Sequence, residues 1–245
     1  MSTSGPLTAE LTTRTIIAPG IADLIFRMRS PERLAFRAGQ FVSIDVEPTA
    51  VTGASSAAKR RSYSIASHSD QGDSLRFIIR VIPTGAASEL LMSIPIGDTV
   101  RMTGPHGFFV LDEVHPGDIV FGATGTGVAA VMPMLGELGR AEPGAGRRYL
   151  YWGLRHESDL FAHDEIARLC EQSDTELIPY LSAAQEGWIG GRGRITAAIL
   201  QRLLELRTPT FYLVGNGAMI TELKRELCER GVNRKKQIRT EAFFD

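Results

Sequence analysis

The sequence predicts a two-domain β plus α/β protein, with an antiparallel β-barrel in the first half and a parallel sheet flanked by helices in the second. A chain of 245 residues is long enough to bury two cores of ordinary size. Up to about Leu111, short β-branched segments alternate with Gly, Pro and Ser, which is typical of antiparallel sheets. From about Asp118, short apolar runs alternate with longer amphipathic segments, which indicates a parallel α/β layer.

The turn residues Asp112, Pro116 and Gly117 mark the expected boundary, which gives domains of residues 1–113 and 114–245. Strands are expected in both domains, and most of the helices in the second. The predicted strands cover residues 41–46, 75–81, 99–103, 119–123, 148–153, 176–181, 210–214 and 237–240. The predicted helices cover residues 131–138, 159–172, 195–206 and 218–230. Residues 51–58, rich in Ser, Ala and Gly, are predicted to form a surface loop.

Composition and charge argue against several classes of protein. The chain is 43% hydrophobic and 22% charged, with a formal net charge of -1. It contains no apolar run long enough to span a bilayer, no signal-peptide pattern, and no basic stripe typical of a nucleic-acid groove. We therefore expect a cytoplasmic protein without stable membrane insertion and without a nucleic-acid partner.

Cysteine and histidine usage predicts no metal site. The two cysteines, Cys170 and Cys228, cannot supply the four ligands of a conventional iron–sulfur cluster. Both lie in helix-like sequence and are expected to be apolar packing residues. The five histidines show no metal-ligand spacing and are expected at the surface or in loops.

Three segments carry groups suited to binding a nucleotide. Arg61-Ser62-Tyr63-Ser64, with Ser67 nearby, offers a guanidinium for a diphosphate, a ring that can stack and hydroxyls that can hydrogen-bond a heterocycle. Gly85-Ala86-Ala87-Ser88 precedes helix-like sequence, so its backbone N–H groups could bind an anion. Gly122-Ala123-Thr124-Gly125-Thr126-Gly127 joins an apolar strand to a helix, although its glycine spacing is not the dinucleotide fingerprint.

Each segment alone also fits an ordinary structural role. Tyr63 could simply pack on a strand, Ser88 could be an N-cap in a plain loop, and the glycine turn could be a simple strand-to-helix connection. The individual motifs therefore leave the function open.

The order of six motifs resembles the ferredoxin–NADP reductase family from end to end. In chain order they are Arg61-Ser62-Tyr63-Ser64, Gly85-Ala86-Ala87-Ser88, Gly104-Pro105-His106-Gly107-Phe108, Gly125-Thr126-Gly127, Gly215-Asn216-Gly217-Ala218-Met219 and Glu241-Ala242-Phe243-Phe244. The resemblance implies an FAD-binding barrel followed by a domain that binds NADPH or NADH. It further implies hydride transfer to FAD and delivery of electrons to a separate one-electron carrier such as ferredoxin or flavodoxin.

The resemblance also implies roles for individual residues. Tyr63 would lie against the flavin ring with Ser64 near its reactive nitrogen. One of Phe243 and Phe244 would gate the ring, and the alternative is that both close the core. The expected catalytic residues are Tyr63, Ser64 and Phe244. The expected cofactor-binding residues, which also include Tyr63 and Ser64, belong to the flavin site or to the dinucleotide groove: Arg61, Ser67, Gly85, Ala86, Ala87, Ser88, Thr124, Gly125, Thr126, Gly127, Gly153, Arg155, Arg192, Gly215 and Met219.

Two positions depart from the family pattern. Ala130 stands where a proline is common, and Val214 stands where a cysteine usually lies by the nicotinamide. The loss of that cysteine implies slower hydride transfer or a differently placed substrate. It also favours the alternative of a flavin- or nucleotide-binding regulatory module that does not turn over.

The nicotinamide preference rests on few residues. Arg155, Arg192 and Arg194 could pair with a 2′-phosphate, which slightly favours NADPH, but Ala183 and Ala184 replace an expected arginine. The stretches at residues 181–188 and 191–194 also resemble NADH-dependent reductases of oxygenase systems. Such a reductase, or a free-flavin reductase, is the enzymatic alternative.

Two basic clusters are expected to dock an acidic electron acceptor, since opposite charge steers encounter. The alternative is that they only solvate a loop and a terminal strand. The residues are Lys59, Arg60, Arg234, Lys235, Lys236 and Arg239.

Overall fold

The computed structural model describes residues 6–46, 59–113, 117–142, 144 and 146–243. The chain divides into two compact units, Met1–Phe108 and Phe109–Asp245. Each unit is built on its own six-stranded sheet. None of the helices in the described parts of the chain is long and apolar enough to cross a membrane.

The described residues of the first unit form an antiparallel sheet and one helix. Its elements are β1 (Leu7–Ala18), β2 (Ile21–Ser30), β3 (Phe41–Val46), β4 (Lys59–Ser64), β5 (Ser74–Arg80), α1 (Ala86–Ser93) and β6 (Thr99–His106). The strand order is β4-β3-β6-β1-β2-β5, with every neighbouring pair antiparallel. The two outer strands meet, because the N–H of Ala66, just beyond β4, donates to the carbonyl of Arg76 on β5 over 2.8 Å. The sheet therefore curls into a barrel, which confirms the predicted fold of the first half.

Strand alternation fills the interior of this barrel. On β1, the buried residues Leu7, Ala9 and Leu11 alternate with partly exposed ones, as a half-buried strand requires. The interior is completed by aromatic contacts such as that between Phe26 and Phe77, whose rings meet edge to face with centroids 5.7 Å apart. This apolar interior fixes which face of each strand points outward.

The second unit is a parallel sheet with helices. The strands are β7 (Ile119–Thr124), β8 (Arg148–Leu154), β9 (Thr175–Leu181), β10 (Gly191–Arg192), β11 (Thr210–Asn216) and β12 (Ile238–Phe243). The helices are α2 (Val128–Arg140), α3 (His163–Gln172), α4 (Ile195–Arg202), α5 (Gly217–Glu229) and α6 (Arg234–Gln237). The strand order β10-β9-β8-β7-β11-β12, parallel throughout, confirms the predicted parallel sheet. From β7 the chain adds β8, β9 and β10 on one side of the sheet, and it then adds β11 on the other side of β7. Open α/β sheets bind ligands at the point where the strand order reverses in this way.

Several helix ends differ from the predicted ones because local backbone geometry decides them. α3 begins at His163 rather than at Asp159, since the Asp159 carboxylate accepts from the His156 N–H over 2.9 Å and closes a separate 3₁₀ turn. Ala162 then adopts a left-handed backbone with φ of 46°. α4 ends at Arg202, and the predicted remainder continues as a 3₁₀ turn.

The segment that joins the two units is fixed to the second one. The Phe109 ring packs edge-on against Tyr212 with centroids 6.0 Å apart, and the Asp112 N–H donates to the Tyr212 hydroxyl over 3.0 Å. The Asp112 carboxylate also forms a two-pronged ion pair with Arg239, with a shortest distance of 2.8 Å. The second unit therefore starts at Phe109, ahead of the predicted division after residue 113. Pro116, on which that division partly relied, and the predicted loop at 51–58 lie outside the described residues.

A buried carboxylate ties together the amino ends of three neighbouring strands. The Asp118 side chain, 3% exposed, accepts from the N–H of Arg147 over 2.7 Å and from the N–H of Arg207 over 2.8 Å. Its backbone also bonds the segment ahead of β11, through the Arg207 carbonyl at 2.9 Å and the Thr210 N–H at 2.8 Å. Asp118 thus holds the start of β7 between the starts of β8 and β11.

Two glycines allow these segments to approach so closely. A β-carbon added to Gly117 would collide with the carbonyl oxygen of Arg207, and one added to Gly146 would collide with the carbonyl oxygen of Gly117. Only a residue without a side chain fits at either position. The close backbone packing at Gly117 and Gly146 and the hydrogen bonds of Asp118 therefore hold the same edge of the sheet together.

Replacing Asp118 with Ala should lower the free energy of unfolding of the second unit by about 3 kcal/mol, because two N–H groups lose their buried acceptor. Urea unfolding followed by tryptophan fluorescence measures this, since both tryptophans, Trp152 and Trp188, lie in the second unit. The control is Asp164→Ala, whose side chain is fully exposed and should change stability by less than about 0.5 kcal/mol. Equal destabilisation by the two substitutions would contradict the assigned role of Asp118.

Candidate functional site

The first motif lies on β4, an outer strand of the barrel sheet. Tyr63 pairs with Val42 of β3 and Arg61 pairs with Ile44. Residues directly opposite one another share a face of the sheet, so Arg61 and Tyr63 lie on the same face. Val42 and Ile44 are buried, whereas Tyr63 is half-buried and Arg61 is exposed.

Tyr63 contacts the barrel core and keeps part of its ring accessible. Its ring lies 6.4 Å from that of Phe77 between centroids and packs against the apolar cluster of the barrel. Burial raises the pKa of the Tyr63 phenol to about 12, and the nearby Arg61 guanidinium opposes this shift. The phenol is therefore neutral at physiological pH and can donate a hydrogen bond. Packing on the core and stacking on a ligand are compatible for this residue.

The first and third motifs flank β3 on its two sides. Phe41 pairs with Ser64 on one side and with His106 on the other. The rings of Phe41 and His106 have centroids 5.6 Å apart. Ser64 and the Gly-Pro-His segment therefore lie at the same level of the sheet, separated by β3.

Ser67 has a structural role that the sequence did not reveal. It is buried, and its hydroxyl donates to the Ser74 carbonyl over 3.3 Å and accepts from the Arg76 N–H over 3.2 Å. The hydroxyl thereby braces the chain after β4 against β5. Its expected contact with a cofactor stays a prediction.

The second motif forms the amino end of α1. Gly85 is the N-cap, and the first helical hydrogen bond runs from the Glu89 N–H to the Gly85 carbonyl over 2.9 Å. The N–H groups of Ala86, Ala87 and Ser88 precede that bond and are the ones a helix leaves for an external acceptor. The interpretation of Ser88 as an N-cap is wrong, since its buried hydroxyl accepts from the Ile82 N–H over 2.9 Å.

The other end of α1 is held by an arginine that sequence reasoning missed. Arg14 of β1 donates to the carbonyls of Leu91 and Ile94 over 3.3 and 2.6 Å. A guanidinium at this end neutralises the partial negative charge of the helix C-terminus. Leu91 itself is buried in the barrel core. The helix is therefore fixed on the barrel, and its amino end carries no side-chain cap.

In the second unit, the glycine turn Gly125–Gly127 leads from β7 into α2. Gly125 has φ of 53°, and its carbonyl accepts from the indole N–H of the buried Trp152 over 3.0 Å. A β-carbon on Gly127 would lie 3.0 Å from the carbonyl oxygen of Val214 on β11. Position 125 thus favours glycine because its backbone is left-handed, and position 127 favours glycine because a side chain there would crowd the backbone of β11.

The carboxyl ends of three strands converge at this turn. The Thr124 hydroxyl accepts from the Asn216 N–H over 2.8 Å, and the Asn216 side chain caps α5 by accepting from the Met219 N–H over 3.0 Å. Gly153 pairs with Thr124 from the β8 side, and Gly215 has φ of 114° at the end of β11. The predicted dinucleotide residues Thr124 to Gly127, Gly153, Gly215 and Met219 are therefore brought together at one edge.

The predicted arginines at this edge differ in their surroundings. Arg155 follows β8 and is exposed, and its carbonyl accepts from the Ala183 N–H over 2.9 Å. The Arg192 guanidinium instead donates to carbonyl groups of its own loop, within residues 184–188. Sequence reasoning did not foresee this use of Arg192, because it depends on how the loop folds.

The basic residues expected to dock a partner also differ. Arg60 forms an ion pair with Asp45 over 2.8 Å, and Arg239 forms an ion pair with Asp112. Three members of the set, Arg234–Lys236, lie together on the exposed turn α6. The Lys59 side chain and Phe244 lie outside the described residues, whereas Phe243 ends β12 opposite Asn216.

These features fit the chemistry of the two expected ligands. In the first unit, a partly buried aromatic ring, an exposed guanidinium and a helix amino end without a side-chain cap suit a planar heterocycle joined to a diphosphate. In the second unit, α2 and α5 both begin at the chain reversal, where helix dipoles favour an anion.

Comparison with known proteins agrees with both assignments. Residues 8–111 match the oxidoreductase FAD-binding domain, and residues 121–225 match the oxidoreductase NAD-binding domain. The ferredoxin–NADP reductase B of Sorangium cellulosum is 32% identical over 241 residues, covering 94% of this chain and 95% of that protein.

Reductases of oxygenase systems are also similar. The reductase component of propane 2-monooxygenase from Mycolicibacterium smegmatis is 28% identical over 207 residues, which is 82% of this chain but only 57% of that protein. The crystal structure of a cytochrome P450 reductase from Amycolatopsis superimposes with a TM-score of 0.83 at 28% identity, covering 98% of this chain and 70% of that one.

The FAD-binding match spans the barrel, and the NAD-binding match spans most of the parallel sheet. The near full-length similarity to a ferredoxin–NADP reductase joins them in one enzyme. This chain is accordingly an FAD- and NAD(P)H-dependent oxidoreductase that belongs to the ferredoxin–NADP reductase family.

Proposed function

We propose that this enzyme takes reducing equivalents from NADPH or NADH and passes them singly to a separate carrier protein such as ferredoxin or flavodoxin. The observation that supports this most is the near full-length similarity to a ferredoxin–NADP reductase, combined with two helix amino ends that carry no side-chain cap, those of α1 and α2. The two cysteines of this chain are too few for the four thiolates of a conventional iron–sulfur cluster, which supports an acceptor that is a separate protein.

In this proposal the protein binds and orients FAD and the nicotinamide dinucleotide, and FAD carries the redox chemistry. FAD, when bound, accepts two electrons from a nicotinamide and can release them one at a time. Tyr63 and Ser64 hold its ring, and Arg61 with the N–H groups of residues 86–88 holds its diphosphate. The glycine turn at Gly125–Gly127 receives the dinucleotide.

A second candidate is an NADH-dependent reductase of an oxygenase system. Two observations favour it: Ala183 and Ala184 offer no charge to a 2′-phosphate, and the Arg192 guanidinium is engaged with its own loop. Arg155 and Arg194 are exposed and remain the cations available to a phosphate. Comparing kcat/KM for NADPH and NADH, with ferredoxin and oxygenase components as acceptors, separates the two candidates.

Replacing Tyr63 with Ala should weaken FAD binding by about 1 kcal/mol or more, because stacking on the flavin ring is lost. Titration of the FAD-free protein with FAD, followed by flavin fluorescence, gives the dissociation constant. Tyr63→Phe is the matched control, since it keeps the ring and should retain most of the affinity. An unchanged dissociation constant for the alanine variant would show that Tyr63 only packs against Phe77.

Charge reversal on α6 should slow electron transfer to an acidic protein acceptor. Asn233 orients this turn, since its side chain accepts from the N–H groups of Lys235 and Lys236 over 3.1 Å. The double variant Lys235→Glu with Lys236→Glu should reduce the protein acceptor about tenfold more slowly at low ionic strength. The difference should shrink as salt shortens the Debye length to about 8 Å. Reduction of a neutral dye should be unchanged.

The control for α6 carries the same change in net charge elsewhere. Arg140 on α2 and Arg168 on α3 are both exposed, and Arg140→Glu with Arg168→Glu should leave both reactions nearly unaffected. Docking on α6 is refuted if this control slows the protein acceptor equally, or if the α6 variant slows the dye as much as the protein.

A further inference from the structure

The segment at residues 182–191, which runs from the end of β9 to the first residue of β10, is organised by one arginine. The Arg192 guanidinium donates to the carbonyls of Ala184, Gln185 and Trp188 over 3.4, 3.1 and 3.0 Å. A planar guanidinium can serve several acceptors at once, which the single ammonium of a lysine cannot do in the same geometry. Arg192 therefore closes this segment on itself.

Two aromatic rings complete the segment. The Trp188 indole N–H donates to the Gly191 carbonyl over 3.0 Å, and a β-carbon on Gly190 would collide with the Trp188 ring. A β-carbon on Gly191 would likewise collide with the Tyr180 ring. The Trp188 and Tyr180 rings therefore lie against the backbone of Gly190 and Gly191.

The segment borders the edge of the sheet where the glycine turn lies. The Ser182 N–H donates to the Leu154 carbonyl over 3.0 Å, and the Ala183 N–H donates to the Arg155 carbonyl over 2.9 Å. These bonds join it to the end of β8, where Gly153 pairs with Thr124. A dinucleotide seated on the glycine turn would thus extend along the end of β8 toward residues 182–191.

We propose that Arg192 is a positioning residue, which holds residues 182–191 in the shape that receives the nucleoside end of the nicotinamide dinucleotide, and that it does not bind a 2′-phosphate. The inference rests on the proposed function, since it takes this edge as the seat of the nucleotide. If residues 182–191 are already ordered, nucleotide binding loses less conformational entropy, which lowers the dissociation constant. This effect is the same for NADH and NADPH. The choice between them then falls to other cations, of which Arg155 and Arg194 are exposed.

The test compares Arg192→Ala and Arg192→Lys with the control Arg168→Ala, an exposed arginine on α3, using ferricyanide as acceptor. Both Arg192 variants should raise KM for NADH and NADPH alike by about tenfold, with kcat and the NADPH to NADH ratio nearly unchanged. Arg168→Ala should leave KM for both nucleotides unchanged. A rise in KM for NADPH alone would show that Arg192 binds the phosphate and would overturn the proposal, as would full rescue by lysine.

Amide hydrogen exchange of the protein without nucleotide supplies a second readout. Arg192→Ala should speed exchange in residues 182–193 and leave β7 and β11 as protected as in the parent protein. Unchanged exchange, or faster exchange with no change in KM, would overturn the proposal. Ferricyanide accepts electrons without a docking surface, so the KM comparison does not depend on a protein acceptor. Failure to find such an acceptor would count against the proposed function but would not change the KM values of the Arg192 variants.

Discussion

The buried carboxylate of Asp118 is the constraint on which the second domain depends. By accepting from the N–H groups of Arg147 and Arg207, it fixes the starts of β7, β8 and β11 relative to one another. The same three strands end at Thr124, Leu154 and Asn216, beside the glycine turn. Parallel strands whose starts are fixed also have their ends fixed, because their hydrogen-bond register runs along the whole strand. A structural interaction at one edge therefore places the binding groups at the other.

The FAD-binding domain follows a similar principle. Arg14 binds the carboxyl end of α1, and Leu91 anchors the helix in the barrel core. The amino end of the helix carries no side-chain cap, and N–H groups at such an end can donate hydrogen bonds to a diphosphate. Tyr63 lies on the barrel core in the same way, with one part of its ring packed and another part accessible. In both domains, side chains outside the proposed sites hold in place the groups that we propose to bind the cofactors.

The sequence was sufficient for the two sheets and for the order of the motifs, because strand alternation, apolar runs and glycine turns are local patterns. It was insufficient for polar side chains whose partners are chosen by the fold. Ser88 accepts from Ile82 instead of capping its helix, and Arg192 bonds the carbonyls of its own loop. Arg239, expected at a docking surface, pairs with Asp112, which is 127 positions away in the chain. Residue type and spacing do not encode such choices.

The central claim is that the barrel binds FAD and the parallel sheet delivers a reduced nicotinamide to it. Anaerobic mixing of the FAD-loaded protein with NADPH or NADH, followed by the visible absorbance of the flavin, tests this claim most directly. The account predicts that at least one of the two nucleotides bleaches the flavin absorbance within seconds. A protein that binds FAD firmly but keeps its full flavin absorbance with both nucleotides would contradict it.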